Sequence, residues 1–189
     1  MSASRLGLYA WLLLWAACAA DLERPEELGG AAPPAVDSVE IDLLQGPMPG
    51  VLSDARDQQE QGRTFELDTM RALHDYGVAN EHDPRPWLLL GYDAMRADLR
   101  PFAVRYYGRA IDADPQAAAQ KHVLEDLLSV VRDYNGVERE EASAIVLGSY
   151  DRAALYAVDD AVQDALDAGD NVGVKRLRLL QVQLEAVLK

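Results

Sequence analysis

Basic charge is the first thing this chain is short of. Eighteen Lys and Arg face 32 Asp and Glu, a formal net charge of −14 over 189 residues. Nonspecific nucleic-acid binding needs the opposite, clustered Lys and Arg that displace counterions from phosphates, so a nucleic-acid partner is excluded. Cysteine is nearly absent. The single one, Cys18, rules out an internal disulfide framework and any C-x-x-C pair. Catalytic signatures are missing too: no glycine-rich loop leads into a helix to cradle phosphate, and neither G-x-S-x-G nor H-E-x-x-H occurs. The three histidines, His74, His82 and His122, have no regular ligand spacing and read as solvated loop and helix-end residues. Glu140-Glu141 and Asp159-Asp160 are adjacent, so each pair points to different sides of a helix and does not converge as an acid/base couple. Neither catalytic residues nor a metal or other cofactor is expected, and the chain reads as no enzyme. Strand patterning is also missing from Val51 onward, where helical periodicity recurs.

What is present starts with an export signal over residues 1–18. Arg5 supplies its positive end, and Leu6 to Ala17 is an apolar run too short to span a bilayer as a lone helix. Cys18 follows directly, in Leu14-Trp15-Ala16-Ala17-Cys18. Small residues before a cysteine resemble a bacterial lipobox, in which the cysteine is acylated and becomes the mature amino terminus. Trp15 stands where that pattern has an aliphatic residue. Ala17-Cys18-Ala19 also fits ordinary cleavage, which would release a secreted or soluble periplasmic protein. A leftover thiol is awkward in an exported chain, whereas a cysteine carrying lipid needs no partner. Ala19-Ala20 in place of an aspartate resembles sorting to the outer membrane, which implies the periplasmic face of a bacterial cell envelope.

Residues 19–50 read as an acidic, Pro/Gly/Ala-rich disordered tether, since Pro25, Pro33, Pro34, Pro47, Pro49 and Gly29-Gly30 forbid a long helix. One apolar island in it, Val39 to Leu44, either docks on the following domain or is passive linker. Residues 51–189 read as one helical domain of about eight helices in four hairpins. Ser53 is placed as the N-cap of the first. Phe65, Leu67, Met70, Leu73 and Tyr76 mark the second, with Gly77 as its end. A helix over Ala117–Asp133 is broken by Asn135-Gly136, and another spans Glu138–Ser149. Asp151 caps a stripe of Leu155, Val158, Val162 and Leu166, and the last helix carries Leu177, Leu180, Leu184 and Leu188.

The most specific pattern lies in residues 84–117, where W-x2-L-G-x2-A-x8-A-x3-Y-x2-A-x4-P is filled by Trp87, Leu90, Gly91, Ala94, Ala103, Tyr107, Ala110 and Pro115. The first four recur at i, i+3, i+4 and i+7, one face of a helix, and Ala103, Tyr107 and Ala110 do the same on a second. Asp98 to Pro101 makes the turn between them, and Asp114-Pro115 stops the second helix. This spacing resembles the tetratricopeptide repeat, with Ala94 and Tyr107 as variants of its tyrosine and phenylalanine. The resemblance implies a short α-solenoid of stacked hairpins whose flanking pairs are degenerate repeats or caps. It also implies a protein or peptide partner on the face away from the hairpin contacts, which leaves Arg85, Leu88, Tyr92, Met95 and Arg96 for the groove. The family's Lys and Asn carboxylate clamp is not reproduced. The expected function is that of a membrane-tethered scaffold lipoprotein; a structural subunit of an envelope secretion, pilus or outer-membrane assembly machine is the alternative, and a helical ligand-binding module or enzyme without a recognisable motif is a third reading.

Overall fold

The computed structural model describes residues 43–44 and 47–189. The export signal, Cys18 and the tether as far as residue 42 lie outside the described residues. Those described form eight α-helices and no strand: α1 (Gly50–Glu60), α2 (Leu67–Ala79), α3 (Arg85–Arg96), α4 (Arg100–Ala113), α5 (Lys121–Asp133), α6 (Val137–Ser149), α7 (Ala153–Asp167) and α8 (Asn171–Val187), with a 3-10 turn over Pro115–Ala119 before α5. The fold is all-α, as the periodicity predicts.

Helices pair in chain order, α1 with α2, α3 with α4, α5 with α6 and α7 with α8. Local chemistry sets the turns. After α1, α3 and α7 the chain closes with the same pair of backbone hydrogen bonds, for example Leu99 N–H to Ala94 O at 2.8 Å and Asp98 N–H to Met95 O at 3.1 Å. This motif needs one residue in the left-handed region. Gly62 and Gly169 supply it twice, and Asp98 does so at φ 57°. Asp114 turns extended ahead of Pro115 and ends α4, and its side chain then accepts from Gln116 N–H at 2.9 Å.

The hairpins stack on their neighbours around one continuous apolar cluster. Hairpin α3–α4 meets the first through α3, which packs on both α1 and α2. Hairpin α5–α6 sits differently: its closest approach to the second is α6 on α4, and α3 and α5 scarcely touch. In the fourth, α8 packs on α5 and α6, and α7 on α5. Leu44 joins this core. It is buried, and Arg56 of α1 donates to its carbonyl at 2.9 Å. Of the apolar island, the two described residues Leu43 and Leu44 are therefore docked rather than passive.

Several boundaries move from those read in the sequence. α1 begins at Gly50, so Ser53 lies in its first turn and donates its N–H to the Pro49 carbonyl at 3.0 Å instead of capping. Gly77 does not end α2. It lies inside that helix and is buried, because its missing side chain is where the Trp87 ring sits, 2.6 Å from where a Cβ would be. α5 starts at 121, since Pro115 sets a 3-10 turn and Gln120 is extended. The buried stripe of α7 is Ala154, Val158, Val162 and Ala165, while Leu166 is left exposed.

Candidate partner-binding face

The repeat-like residues are the centre of the second hairpin. Leu90, Ala94, Ala103, Tyr107 and Ala110 are all buried, and a Cβ on Gly91 would collide with the Tyr107 ring. Trp87 reaches further than its own hairpin. Its ring is met edge-on by His74 of α2 at 5.5 Å, stacks with Tyr106 of α4 at 6.3 Å, and lies 4.9 Å under the Arg109 guanidinium.

The five residues assigned to a groove do not come together. Leu88 is wholly buried. Arg85 grips Asp83 with both arms of its guanidinium, at 2.8 and 2.7 Å, and Tyr76 donates to the same carboxylate at 3.3 Å. Burial pushes Asp83 up, but the hydrogen bonds and charge of Arg85 outweigh it and hold the carboxyl below its usual range. Arg85 thus lines a shallow depression of about 770 Å³ with Leu43, the α2–α3 loop and Asp114. At the other end of α3, eleven residues or about 16 Å away, the Arg96 guanidinium donates to the carbonyls of Arg63 and Gln59 and so ties down the α1–α2 loop. Only Tyr92 and Met95 are part-exposed between these ends.

Tyr92 opens a different site. Because α3 and α5 diverge, aromatic side chains fill the space between them: the Tyr92 ring stands edge-on to Tyr107 at 5.8 Å and to His122 at 6.1 Å. Under this seam the Tyr107 hydroxyl donates to Asp126 in a very short hydrogen bond. Burial first, then Asp126, raises the Tyr107 pKa, and burial also lifts the Asp126 carboxyl above its usual range. The Tyr150 hydroxyl is buried beside them with no hydrogen-bond partner among the described residues, its pKa raised by burial and by Tyr92.

The seam continues along α5 into a depression of about 320 Å³ between α5 and α7, lined by Glu125, Leu128, Ser129, Arg132, Ala157, Asp160, Ala161 and Asp164. Three of those side chains are acidic. The one cation, Arg132, is already bonded to Asp133 at 2.7 Å. The face made by the first helices of three hairpins is therefore aromatic at the α3 end and acidic at the α7 end. Sequence reasoning missed His122, Asp126, Tyr150, Asp160 and Asp164 as members of one face, because it took α3 by itself. It also missed Asp93, buried in α3, whose carboxylate accepts the Phe65 N–H at 2.8 Å. Among the described residues no three His, Cys, Asp or Glu side chains converge as a metal site, and no helix is long and apolar enough to cross a membrane.

Protein-family models, curated proteins and solved structures show no match to this chain.

Proposed function

We propose that this protein is a non-enzymatic helical scaffold of the tetratricopeptide type that binds a segment of another protein across α3, α5 and α7, tethered to a bacterial envelope membrane by lipid on Cys18. The observation that carries the reading is the continuous face from Tyr92 and His122 to the depression bordered by Glu125, Asp160 and Asp164. The part-buried Tyr92 ring beside the exposed His122 offers contact area at little entropic cost, and an acidic trough favours cations. The partner's segment on this reading joins an aromatic or aliphatic residue to Lys or Arg. That differs in sign from an arginine-lined groove, since Arg85 and Arg96 are engaged within the chain.

The test is capture from crosslinked envelopes. Asp160→Lys with Asp164→Lys changes only exposed positions, and Tyr92→Leu with His122→Ala removes the aromatic end. Both pairs should lose the partners that the wild-type chain retains while keeping its circular dichroism spectrum. Unchanged partners in both would remove this face from the proposal. Cys18→Ala tests the tether separately: the protein should leave the membrane fraction and cease to incorporate labelled fatty acid. An alternative reading, a structural subunit of an envelope machine, is favoured by the apolar residues exposed on α8.

A further inference from the structure

The outward side of α8 carries a stripe of apolar residues that no other described residue covers. Val172, Leu179 and Val182 are 56, 57 and 62 % exposed. The buried residues Val174, Leu177, Leu180 and Leu184 occupy the opposite side of the same helix. The exposed set has its own period. Val172, Lys175, Leu179, Val182 and Ala186 follow one another at three and four residues, the a and d positions of two heptads. Leu179 also borders a depression of about 330 Å³ whose α6 wall sets Ala144 and Leu147 beside Arg139, Glu140 and Ser143, so the ground next to the stripe is mixed rather than apolar.

Charge identifies what covers it. Arg178 and Glu185 are one heptad apart, both exposed and both flanking the stripe on the same side, and neither forms an ion pair with another described residue. If two copies of α8 run antiparallel, Leu179 of one meets Val182 of the other, and the two-fold axis repeats that layer. Lys175 then lays its stem over Ala186. In this register Arg178 of each copy falls beside Glu185 of its partner, giving two ion pairs from one residue pair. A surface that satisfies itself under a two-fold rotation is the mark of an isologous contact. We propose that the protein associates with a second copy of itself through α8, as an antiparallel helix pair centred on Leu179 and Val182.

Sedimentation equilibrium tests this on the full chain carrying Cys18→Ala, so that lipid drives nothing, in about 0.15 M salt, where repulsion between the two acidic bodies is screened beyond about 8 Å. Wild-type contacts should give a monomer–dimer equilibrium over about 1 to 100 µM, the range suited to a small interface. Leu179→Ser with Val182→Ser should abolish the dimer. Arg178→Glu, which faces Glu185 with a like charge, should weaken it at least tenfold, and Arg178→Glu with Glu185→Arg should restore it. These positions are exposed, so each variant should keep the parent's melting temperature. A chain that stays monomeric across that range overturns the proposal. So does a swap that fails to restore the dimer, since the ion pairs fix the antiparallel register.

Discussion

At the scale of single residues, two glycines act through the ring each one admits. Gly77 makes room for Trp87 and Gly91 for Tyr107, so the aromatic side chains of the repeat pattern pack against bare helix backbone. Alanine is the better helix former by about 1 kcal/mol, yet Gly91→Ala should destabilise by roughly 1–3 kcal/mol, because the added methyl meets a buried ring whose hydroxyl is tied to Asp126. Gly148, inside α6 with nothing within 4 Å of its would-be Cβ, is the control: Gly148→Ala should stabilise by about 0.5–1 kcal/mol. Urea denaturation of the two variants should move in opposite directions. Equal shifts would mean that Gly91 matters only through helix propensity.

Titration belongs to the same scale. Burial lifts the carboxyls of Asp93 and Asp126 above their ordinary range, against the hydrogen bonds they accept from Phe65 and Tyr107. A carboxyl whose folded pKa is raised binds its proton more tightly in the native state. Its contribution is complete below the unfolded pKa, about 4, and is lost as pH rises through the folded value. Asp83 and Asp133, held low by Arg85 and by Arg132 with Arg100, work in the opposite window: their contribution is present above about 4 and lost as pH falls through their folded values. Mild acidification from neutrality should therefore favour the fold until those two protonate. Asp126→Asn keeps an acceptor for the Tyr107 hydroxyl and removes the charge. Its urea midpoint should vary less between pH 4.5 and 7.5 than the wild type's, and an unchanged slope would take Asp126 out of the account.

At the scale of elements, three hairpins close by one motif, and only the middle one asks a residue with a side chain to take the left-handed conformation, Asp98 at φ 57°. Its carboxylate pairs with Arg100 at 3.0 Å but is 77 % exposed, so that bond is worth little in water. Asp98→Gly should raise stability by about 0.5–1 kcal/mol, read as a higher melting temperature with an unchanged spectrum. The eight helices were legible because their apolar residues recur at helical spacing and because Pro115, Asn135-Gly136 and Gly169 punctuate them. Their ends were less so. Ser53 and Gly77 carry residue types that also occur inside helices, and only the neighbour, Pro49 or Trp87, decides which role they play. The candidate partner face was hardest to read, because it depends on α3 and α5 diverging. Nothing local to α3 states that, and its arginines read as ligands until Asp83 and the carbonyls of Arg63 and Gln59 are seen beside them.

At the scale of the molecule, the question is whether the stack can be divided. Contacts between neighbouring hairpins alone would let the first three fold without the fourth, since three units commonly suffice in a repeat array. The packing here argues against that. α5 is covered on one side by α6 and on another by α8, which buries Leu177 and Leu180 completely. The Arg176 guanidinium also closes on the Arg132 carbonyl and on Asn135, where α5 ends. Removing α8 would thus uncover a helix in the middle of the cluster rather than a face at its end. A chain stopped after Ser149 should keep much of its helical circular dichroism but lose a sharp urea transition and bind a hydrophobic dye, as loosely packed helical states do. A sharp two-state transition in the shortened chain would show that the third hairpin is already the end of an independent unit, with α7 and α8 a separable addition that carries the proposed dimer surface.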